Sequence, residues 1–314
     1  MKIVFLGSPE FARHSLKKLY RDSNIELALV ISQPPRKKGR GQQQKPTPVG
    51  RFAREKELKL LEIADVNSEA GLSKIERVKP DYLVVVAFGQ ILKAELLKLP
   101  RKAAINLHAS LLPKYRGASP INQALIEGEE FTGVTTMLMD EGLDTGDILL
   151  QRRIRIEPGD TAGSLHDKLA QEGADLLLET LLKYDKGQIE PVPQNEEMSS
   201  YAPRLSRDDG RIDFNRPVRE VYDFIRGNNP WPGAFTGFRG QKLKVWQAKV
   251  TGRESGSKRP GSILKASPQQ GLLVATADYG IKLTEVQLPG KKRMSDRDFV
   301  CGYQPEPGER LELN

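Results

Sequence analysis

The chain has 314 residues and a formal net charge of +8, with 38% hydrophobic and 29% charged side chains. This length allows two domains with sizeable cores, and the longest apolar run, residues 83–88, is too short to cross a bilayer. A single cysteine, Cys301, excludes an internal disulfide and a cysteine-rich zinc site, and three scattered histidines argue against a histidine-rich metal centre. The apolar run after Lys2 is too short for a secretory signal, which predicts a cytoplasmic protein.

The positive charge is distributed unevenly along the chain. Residues 201–314 carry 20 lysines and arginines against 13 aspartates and glutamates, so nearly all of the net charge lies in the last third. Such a surplus indicates a polyanionic partner, most simply a nucleic acid. A solvated basic surface without a partner would explain the charge equally well.

Apolar segments typical of buried strands recur in the first 110 residues, namely KIVFLG, IELALVIS, DYLVVVAFG and AAINLH. Helical segments follow the first two of them, and Ser8 is expected to cap the first helix, with Pro9 in its first turn. This alternation predicts an α/β domain with a Rossmann-like, mostly parallel sheet that is covered on both faces. Ligands bind at the carboxyl ends of the strands in such sheets.

A basic loop follows the second strand. Between Leu27 and Arg54 the chain carries seven cations and no acid, and prolines at 34, 35, 46 and 48 oppose regular secondary structure there. The loop is expected at the carboxyl edge of the sheet, within reach of the phosphates of an RNA. A disordered, solvated loop is the alternative. The candidate RNA-binding residues are Arg36, Lys37, Lys38, Arg40 and Lys45.

Asn106 and His108 lie two residues apart at the end of the fourth strand, so both side chains point to the same face. An amide and an imidazole together can polarise a carbonyl and stabilise the oxyanion that forms on attack. The acidic stretch that follows offers four candidate carboxylates for this pair, Asp140, Glu141, Asp144 and Asp147, of which Asp144 lies in a tight turn between Gly142 and Gly146. From these residues alone, a strand-end histidine that is hydrogen-bonded to backbone remains the simpler explanation.

Past His108 the sequence predicts a short helix begun by Ser119 and Pro120, two strands, and a long helix from about Asp160 to Gly187. A polar stretch follows, and then short strands separated by glycine and proline turns, which favour a small OB-like β-barrel. Trp231 and Trp246 are expected in the barrel core and in domain packing rather than as base-stacking platforms. The predicted domains are residues 1–189, a linker at 190–207, and residues 208–314.

Fingerprints of hydrolase elbows, P-loops and dinucleotide sites are absent. The stretch from Asn106 through SLLP to the LDTGD segment instead resembles the signature region of enzymes that transfer a formyl group from 10-formyltetrahydrofolate. The resemblance implies that Asn106, His108 and Asp144 form a catalytic triad and that no metal is needed. It also implies that the folate co-substrate lies against Ser110, Leu111, Leu112 and Pro113.

Members of that family differ in their acceptor. The segments FLGSPEFA, SQPPRKKGRG and NNPWPGAF resemble the members that formylate methionyl-tRNA, and the similarity runs nearly end to end. The expectation is a monomeric, cytoplasmic enzyme of translation initiation whose basic loop, with Arg40, reads the acceptor arm and whose carboxy-terminal domain binds tRNA. The alternatives are an amino sugar nucleotide or other small amine as acceptor, a hydrolase that passes the formyl group to water, and an RNA-binding protein without activity.

Overall fold

The computed structural model describes residues 1–38, 43–251 and 259–312. The chain forms two compact units, each assembled from separated segments. The first consists of Met1–Gly117, Thr132–Arg155 and His166–Ala202. The second consists of Ala118–Phe131, Ile156–Leu165 and the chain from Pro203 onward. The predicted boundaries, which divide the chain into continuous segments, stay a prediction.

A seven-stranded sheet forms the centre of the first unit. The strands up to residue 202 are β1 Lys2–Gly7, β2 Glu26–Ser32, β3 Arg36–Lys38, β4 Gln43–Lys45, β5 Leu60–Glu62, β6 Tyr82–Val86, β7 Ala103–His108, β8 Arg116–Gly117, β9 Phe131–Leu138, β10 Ile148–Arg155 and β11 Tyr201–Ala202. The sheet order is β10-β9-β7-β6-β1-β2-β5. Strands β7, β6, β1, β2 and β5 run parallel, and β9 is antiparallel to β7.

The parallel strands are apolar because both faces of the sheet are covered. Phe5 and Val84, paired on β1 and β6, are completely buried. Since parallel strands share one carboxyl edge, Gly7, Val86 and His108 end at the same side of the sheet. That edge holds the site described below.

The helices that flank the strands begin and end close to where turn residues predict. They are α1 Glu10–Tyr20, α2 Pro48–Glu55, α3 Glu69–Val78, α4 Ala94–Leu97, α5 Pro120–Ile126, α6 Ala162–Asp185, α7 Val218–Gly227 and α8 Asp296–Tyr303. The expected start of α5 at Ser119 and Pro120 is confirmed. The expected cap of α1 is wrong: Pro9 is the N-cap, and the Ser8 hydroxyl accepts from the Gln33 backbone N–H at 3.1 Å instead.

The second unit is built on a curled antiparallel sheet. Its strands are β12 Phe235–Phe238, β13 Gln241–Val250, β14 Ile263–Ser267, β15 Gly271–Ala275, β16 Gly280–Gln287 and β17 Met294–Ser295. They follow the order β12-β13-β16-β15-β14, and β17 pairs with β16. Ile225 of α7 and Phe299 of α8 join Leu243 and Val286 of the sheet in one core. The predicted fold class, a Rossmann-like sheet domain followed by a small OB-like barrel, is confirmed, and the barrel is a half-barrel.

Helix α5 packs on α7 within this second unit. The Asn122 side-chain amide donates to the Gly227 carbonyl at 2.7 Å, and a Cβ atom on Gly227 would lie 2.7 Å from Cγ1 of Ile126. Glycine is therefore required for the two helices to approach so closely. A short helix that the sequence analysis placed in the first domain thus contributes to the packing of the second unit.

Two local expectations are wrong. The basic loop was expected to lack regular structure, but β3 and β4 pair as an antiparallel hairpin in which Arg36 lies opposite Lys45. The prolines lie outside the paired residues, where they do not remove ladder hydrogen bonds. Trp231 was expected to be buried in the core or in domain packing and is 52% exposed, whereas Trp246 is buried as expected.

Candidate active site

Asn106 and His108 lie at the carboxyl end of β7, between β6 and β9. Asn106 pairs in register with Val85 of β6, and His108 pairs with Thr135 of β9. The two side chains are 9% and 6% exposed. Polar side chains buried to this extent need hydrogen-bond partners. The groups that supply them define the candidate site.

Asp144 supplies a carboxylate to both of them. Its Oδ1 accepts from Nδ2 of Asn106 at 3.4 Å, and its Oδ2 lies 3.6 Å from Nδ1 of His108. The backbone N–H of Gly117 donates to the same Oδ2 at 2.8 Å. The structure thus brings the three predicted catalytic residues together, although their roles stay a prediction.

The other ring nitrogen of His108 is already engaged. Nε2 lies 2.9 Å from the carbonyl oxygen of Tyr115, and because a carbonyl only accepts, Nε2 must carry the proton of this bond. Nδ1 is therefore the nitrogen that faces Asp144 and the edge of the sheet. A neutral imidazole held in this way presents a lone pair at Nδ1, and only the imidazolium donates from both nitrogens.

Three positions around the site adopt left-handed backbone conformations. Asp144 has φ +56°, Tyr115 has φ +63° and Gly117 has φ +112°. Such conformations cost free energy in residues other than glycine and persist only where surrounding contacts enforce them. Here they direct the Asp144 carboxylate toward Asn106 and His108, the Tyr115 carbonyl toward His108, and the Gly117 N–H toward the Asp144 carboxylate.

The predicted folate segment, Ser110–Pro113, follows His108 directly. Ser110 and Leu112 are buried, and Leu111 and Pro113 are partly exposed. The Ser110 hydroxyl donates to the Lys114 carbonyl at 2.6 Å, so this side chain serves the fold of the loop. Of the four, Leu111 and Pro113 present surface that a ligand could contact.

Neighbouring strands fix the backbone of that segment. The hydroxyl of Thr135 donates to the Ser110 carbonyl at 2.7 Å and accepts from the Leu112 N–H at 3.2 Å. The Gln151 amide donates to the Leu112 carbonyl at 2.8 Å. Neither residue was predicted from the sequence. Neither stands out there, because β9 also carries Thr132 and Thr136 and β10 carries three arginines, and most of their partners are backbone groups.

The basic hairpin rises from the same edge, directly after β2. The hydroxyl of Ser32, at the end of β2, is hydrogen-bonded to the hydroxyl of Thr47, the N-cap of α2, at 2.6 Å. This bond joins the chain before the hairpin to the chain after it and closes its base. The side chain of Lys45 is exposed. Arg36, Lys37 and Lys38 lie on β3, and Arg40 lies outside the described residues.

The second unit carries cations stacked on aromatic rings. Arg293 lies 3.7 Å and Lys244 5.1 Å from the ring centre of Trp246, and Lys242 lies 3.2 Å from that of Phe235. Burial lowers the pKa of Lys242, and the nearby Lys244 lowers it further. The charge surplus of the last third is therefore partly organised into a cation–aromatic surface, here defined by Lys242, Lys244, Trp246 and Arg293.

The described ranges, 1–38, 43–251 and 259–312, contain neither a candidate metal cluster nor a membrane-spanning helix. In them, no three side chains of His, Cys, Asp or Glu lie close enough to hold a metal ion. None of the helices found there is long and apolar enough to span a membrane.

Two family models match successive parts of the chain. Residues 1–181 match the family model described as formyl transferase, and residues 204–304 match that of the formyl transferase carboxy-terminal domain. Relatives named methionyl-tRNA formyltransferase from Halothermothrix orenii and Acetivibrio thermocellus are 45% and 44% identical. Both alignments cover 99% of this chain, and they cover 100% and 99% of the relatives.

Solved structures show the same fold at lower identity. An N-formyltransferase from Helicobacter canadensis, in complex with folinic acid and dTDP-3-aminofucose, superposes with a TM-score of 0.68 at 21% identity, over 90% of this chain and 98% of that one. HypX from Aquifex aeolicus, in complex with tetrahydrofolic acid, gives 0.63 at 18%, over all of this chain and 48% of that one. From the two family models and the full-length relatives together, we conclude that the chain belongs to the formyl transferase family.

Proposed function

We propose that this chain transfers the formyl group of 10-formyltetrahydrofolate to the free α-amine of initiator methionyl-tRNA, for translation initiation. The observation that carries the proposal is the 43–45% identity, over 98–99% of this chain, to relatives named methionyl-tRNA formyltransferase. The folate donor is supported by the family and by the tetrahydrofolic acid in the HypX neighbour. An amino sugar nucleotide acceptor has weaker support, because the neighbour bound to one is only 21% identical.

Asn106 and His108 stabilise the charge that develops when the amine attacks the formyl carbon. As the new C–N bond forms, the formyl oxygen becomes an oxyanion, and the bond to N10 of the folate then breaks. The Asn106 amide donates one hydrogen to Asp144 and retains a second for this oxygen. Because Nε2 of His108 is bound to Tyr115, the imidazolium donates to the oxyanion from Nδ1.

The Asp144 carboxylate stabilises the positive charge of the His108 imidazolium and accepts the proton that the amine releases. It lies 3.6 Å from Nδ1 of His108, which is longer than a hydrogen bond. That spacing allows Asp144 to stabilise the imidazolium electrostatically while a water molecule carries the amine proton to it. The proton released by the amine is matched by the one that the departing N10 takes up.

The donor lies against the partly exposed Leu111 and Pro113, and the acceptor RNA extends over the basic hairpin. The cation–aromatic surface of the second unit suits a nucleic acid, since its cations are sequence-tolerant contacts to phosphates, and the buried ring of Trp246 supports Lys244 and Arg293. We keep the predicted division into a catalytic domain, residues 1–189, a linker, residues 190–207, and a tRNA-binding domain, residues 208–314, as part of the proposal.

We also propose that the protein acts as a monomer and in the cytoplasm. One copy of the chain carries Asn106, His108 and Asp144 within a single compact unit, so a monomer suffices for the reaction. Charged initiator tRNA is used in the cytoplasm, and we place the enzyme there.

A labelled-formyl assay tests the proposal. Purified protein with labelled 10-formyltetrahydrofolate is expected to formylate methionyl initiator tRNA and to discriminate against methionyl elongator tRNA. Formate release in the absence of an acceptor would indicate a hydrolase. Efficient formylation of an amino sugar nucleotide, with none of the tRNA, would contradict the proposal in favour of a small-amine acceptor.

Lys45→Ala is expected to weaken acceptor binding without affecting the donor. The exposed cation lies on the basic hairpin, and losing one phosphate contact reduces the slope of log affinity against log salt by about one. The acceptor KM at several salt concentrations is the measurement, and Arg40→Ala is expected to behave alike. Lys17→Ala, which removes an exposed lysine of helix α1, is the matched control. Equal KM values and equal salt slopes for Lys45→Ala and the wild type would show that Lys45 does not contact the acceptor RNA.

A further inference from the structure

The side-chain amide of Gln194 is hydrogen-bonded to the backbone of the turn that carries Asp144. Nε2 of Gln194 donates to the carbonyl oxygens of Asp144 and Gly146 at 2.8 and 2.7 Å. Both carbonyls belong to the turn between β9 and β10, in which residues 141–143 are exposed. A single side chain therefore fixes the backbone on both sides of Thr145.

The orientation of this amide is determined by its other partner. Oε1 of Gln194 accepts from Nε and Nη2 of Arg116 at 3.1 and 2.9 Å. A guanidinium only donates and a backbone carbonyl only accepts, so the amide oxygen must face Arg116 and the NH₂ group must face the turn. In this orientation, each of these hydrogen bonds of the amide joins a donor to an acceptor.

Arg116 is itself anchored, although it is almost fully buried. Glu196 accepts from Nη1 and Nη2 at 2.8 and 2.7 Å, a bidentate pair that raises the pKa of the guanidinium. The Arg116 backbone N–H donates to the Ser200 carbonyl at 2.8 Å. Arg116 thus joins the segment around residues 194–200 to the segment that follows His108.

The neighbours of Arg116 in sequence contact the catalytic residues directly. The Tyr115 carbonyl accepts from His108, and the Gly117 N–H donates to Asp144. Residues 115–117 therefore fix the far nitrogen of the imidazole, the carboxylate of Asp144 and, through Gln194, the backbone that bears that carboxylate. His108 and Asp144 are held in relation to the same three residues.

We infer that Gln194, supported by Arg116 and Glu196, is a positioning residue that holds the Asp144 turn in the geometry required for formyl transfer. The inference rests on the proposed function and adds a residue to it. Asp144 occupies a left-handed conformation at φ +56°, which relaxes when its surroundings no longer enforce it. Without Gln194 the turn loses two hydrogen bonds, and the carboxylate moves relative to Asn106 and His108.

Gln194→Met, which keeps the length of the side chain and removes its hydrogen bonds, tests this role. We expect kcat to fall about 10- to 100-fold, because displacements of about 1 Å at reacting groups have effects of this size. The KM values for the folate and for methionyl-tRNA should change little. Hydrogen exchange of a peptide spanning residues 139–148 should become faster in the variant.

Coupling to Asp144 separates positioning from general stability. If Gln194 acts through Asp144, then adding Gln194→Met to an Asp144→Asn enzyme should lower single-turnover kcat no further, although each substitution lowers it alone. Asn122→Leu is the matched control. Asn122 also donates to two backbone carbonyls, those of Gly227 and Trp231 at 2.7 and 3.1 Å, but within the second unit. Its loss should reduce thermal stability and leave kcat and the exchange at residues 139–148 unchanged.

The outcomes are distinguishable. An unchanged kcat, or a loss of the same size in the Asp144→Asn background, overturns the inference while leaving the proposed function intact. A wild-type enzyme that fails to formylate methionyl-tRNA refutes the proposed function instead. Unchanged hydrogen exchange at residues 139–148 in Gln194→Met overturns the inference whatever the reaction is.

Discussion

Replacing His108 by alanine lowers the rate of formyl transfer to methionyl-tRNA by about 10²- to 10⁴-fold, the range for a positioned donor or general acid–base group. The substitution removes the donor at Nδ1 and the positive charge that stabilises the oxyanion. It also removes the hydrogen bond to the Tyr115 carbonyl and the imidazole that lies 3.6 Å from the Asp144 carboxylate. Single-turnover kinetics with saturating donor and acceptor measure the chemical step, and the expected loss is in kcat, with little change in either KM.

His166→Gln is the control for His108→Ala. His166 lies in the same compact unit, is partly exposed, and packs edge-on against Phe11 with ring centres 5.5 Å apart. Its Nδ1 is hydrogen-bonded to the Asp167 carboxylate at 3.0 Å rather than to a residue of the candidate site, and we expect a near wild-type rate. If His108→Ala, folded as judged by circular dichroism, also transfers formyl at the wild-type rate, His108 is not the oxyanion donor.

The fold was largely predictable because its signals are local. Apolar runs such as residues 82–86 can be buried only inside a sheet that is covered on both faces, and the runs indeed form the parallel strands around β1. His108 was expected at the carboxyl edge of that sheet, and it lies there at the end of β7. Local signals failed where a partner remote in sequence decides the outcome. The short helix α5, for example, belongs to the second unit because Gly227 lets α7 approach it.

The sequence suggested the three candidate catalytic side chains, whose roles stay a prediction, but not the backbone groups that orient them. Asn106 and His108 followed from strand periodicity, and the family resemblance selected Asp144 from four nearby carboxylates. The groups that orient these side chains are the Tyr115 carbonyl and the Gly117 N–H. Every residue has such backbone groups, so their contribution has no compositional signature. It depends on left-handed conformations that the sequence suggests only at Gly117.

The basic loop shows how composition misleads about structure. Its prolines and glycines suggested an irregular segment, yet the prolines flank the hairpin and the three residue pairs between β3 and β4 avoid them. The pairing is also favoured by the closed base at Ser32 and Thr47. Charge sign and location at the sheet edge were reliable because neither depends on the conformation of the loop.

Asp144→Asn should reduce kcat by about 10²- to 10⁴-fold despite its nearly identical shape. The carboxylate accepts from the Gly117 N–H on one oxygen and from the Asn106 amide on the other. An asparagine has only one oxygen, so in either orientation its NH₂ group faces one of these donors. The negative charge that stabilises the His108 imidazolium is lost as well. Single-turnover rates over a range of pH measure the effect, and raising the pH should not restore the rate, because an amide cannot ionise.

The matched control for Asp144→Asn is Asp175→Asn, which makes the same chemical change elsewhere in the first unit. Asp175 is half-exposed and pairs with Lys18 at 2.6 Å, and an exposed pair of this kind contributes little to stability. Donor binding, followed by fluorescence titration, should be retained by both variants if Asp144 acts in the chemical step. A weakened donor affinity with an unchanged kcat would instead make Asp144 a folate-binding residue. That result would assign the amine proton to solvent, and it would remove the reason for a turn that holds a non-glycine residue at positive φ beside His108.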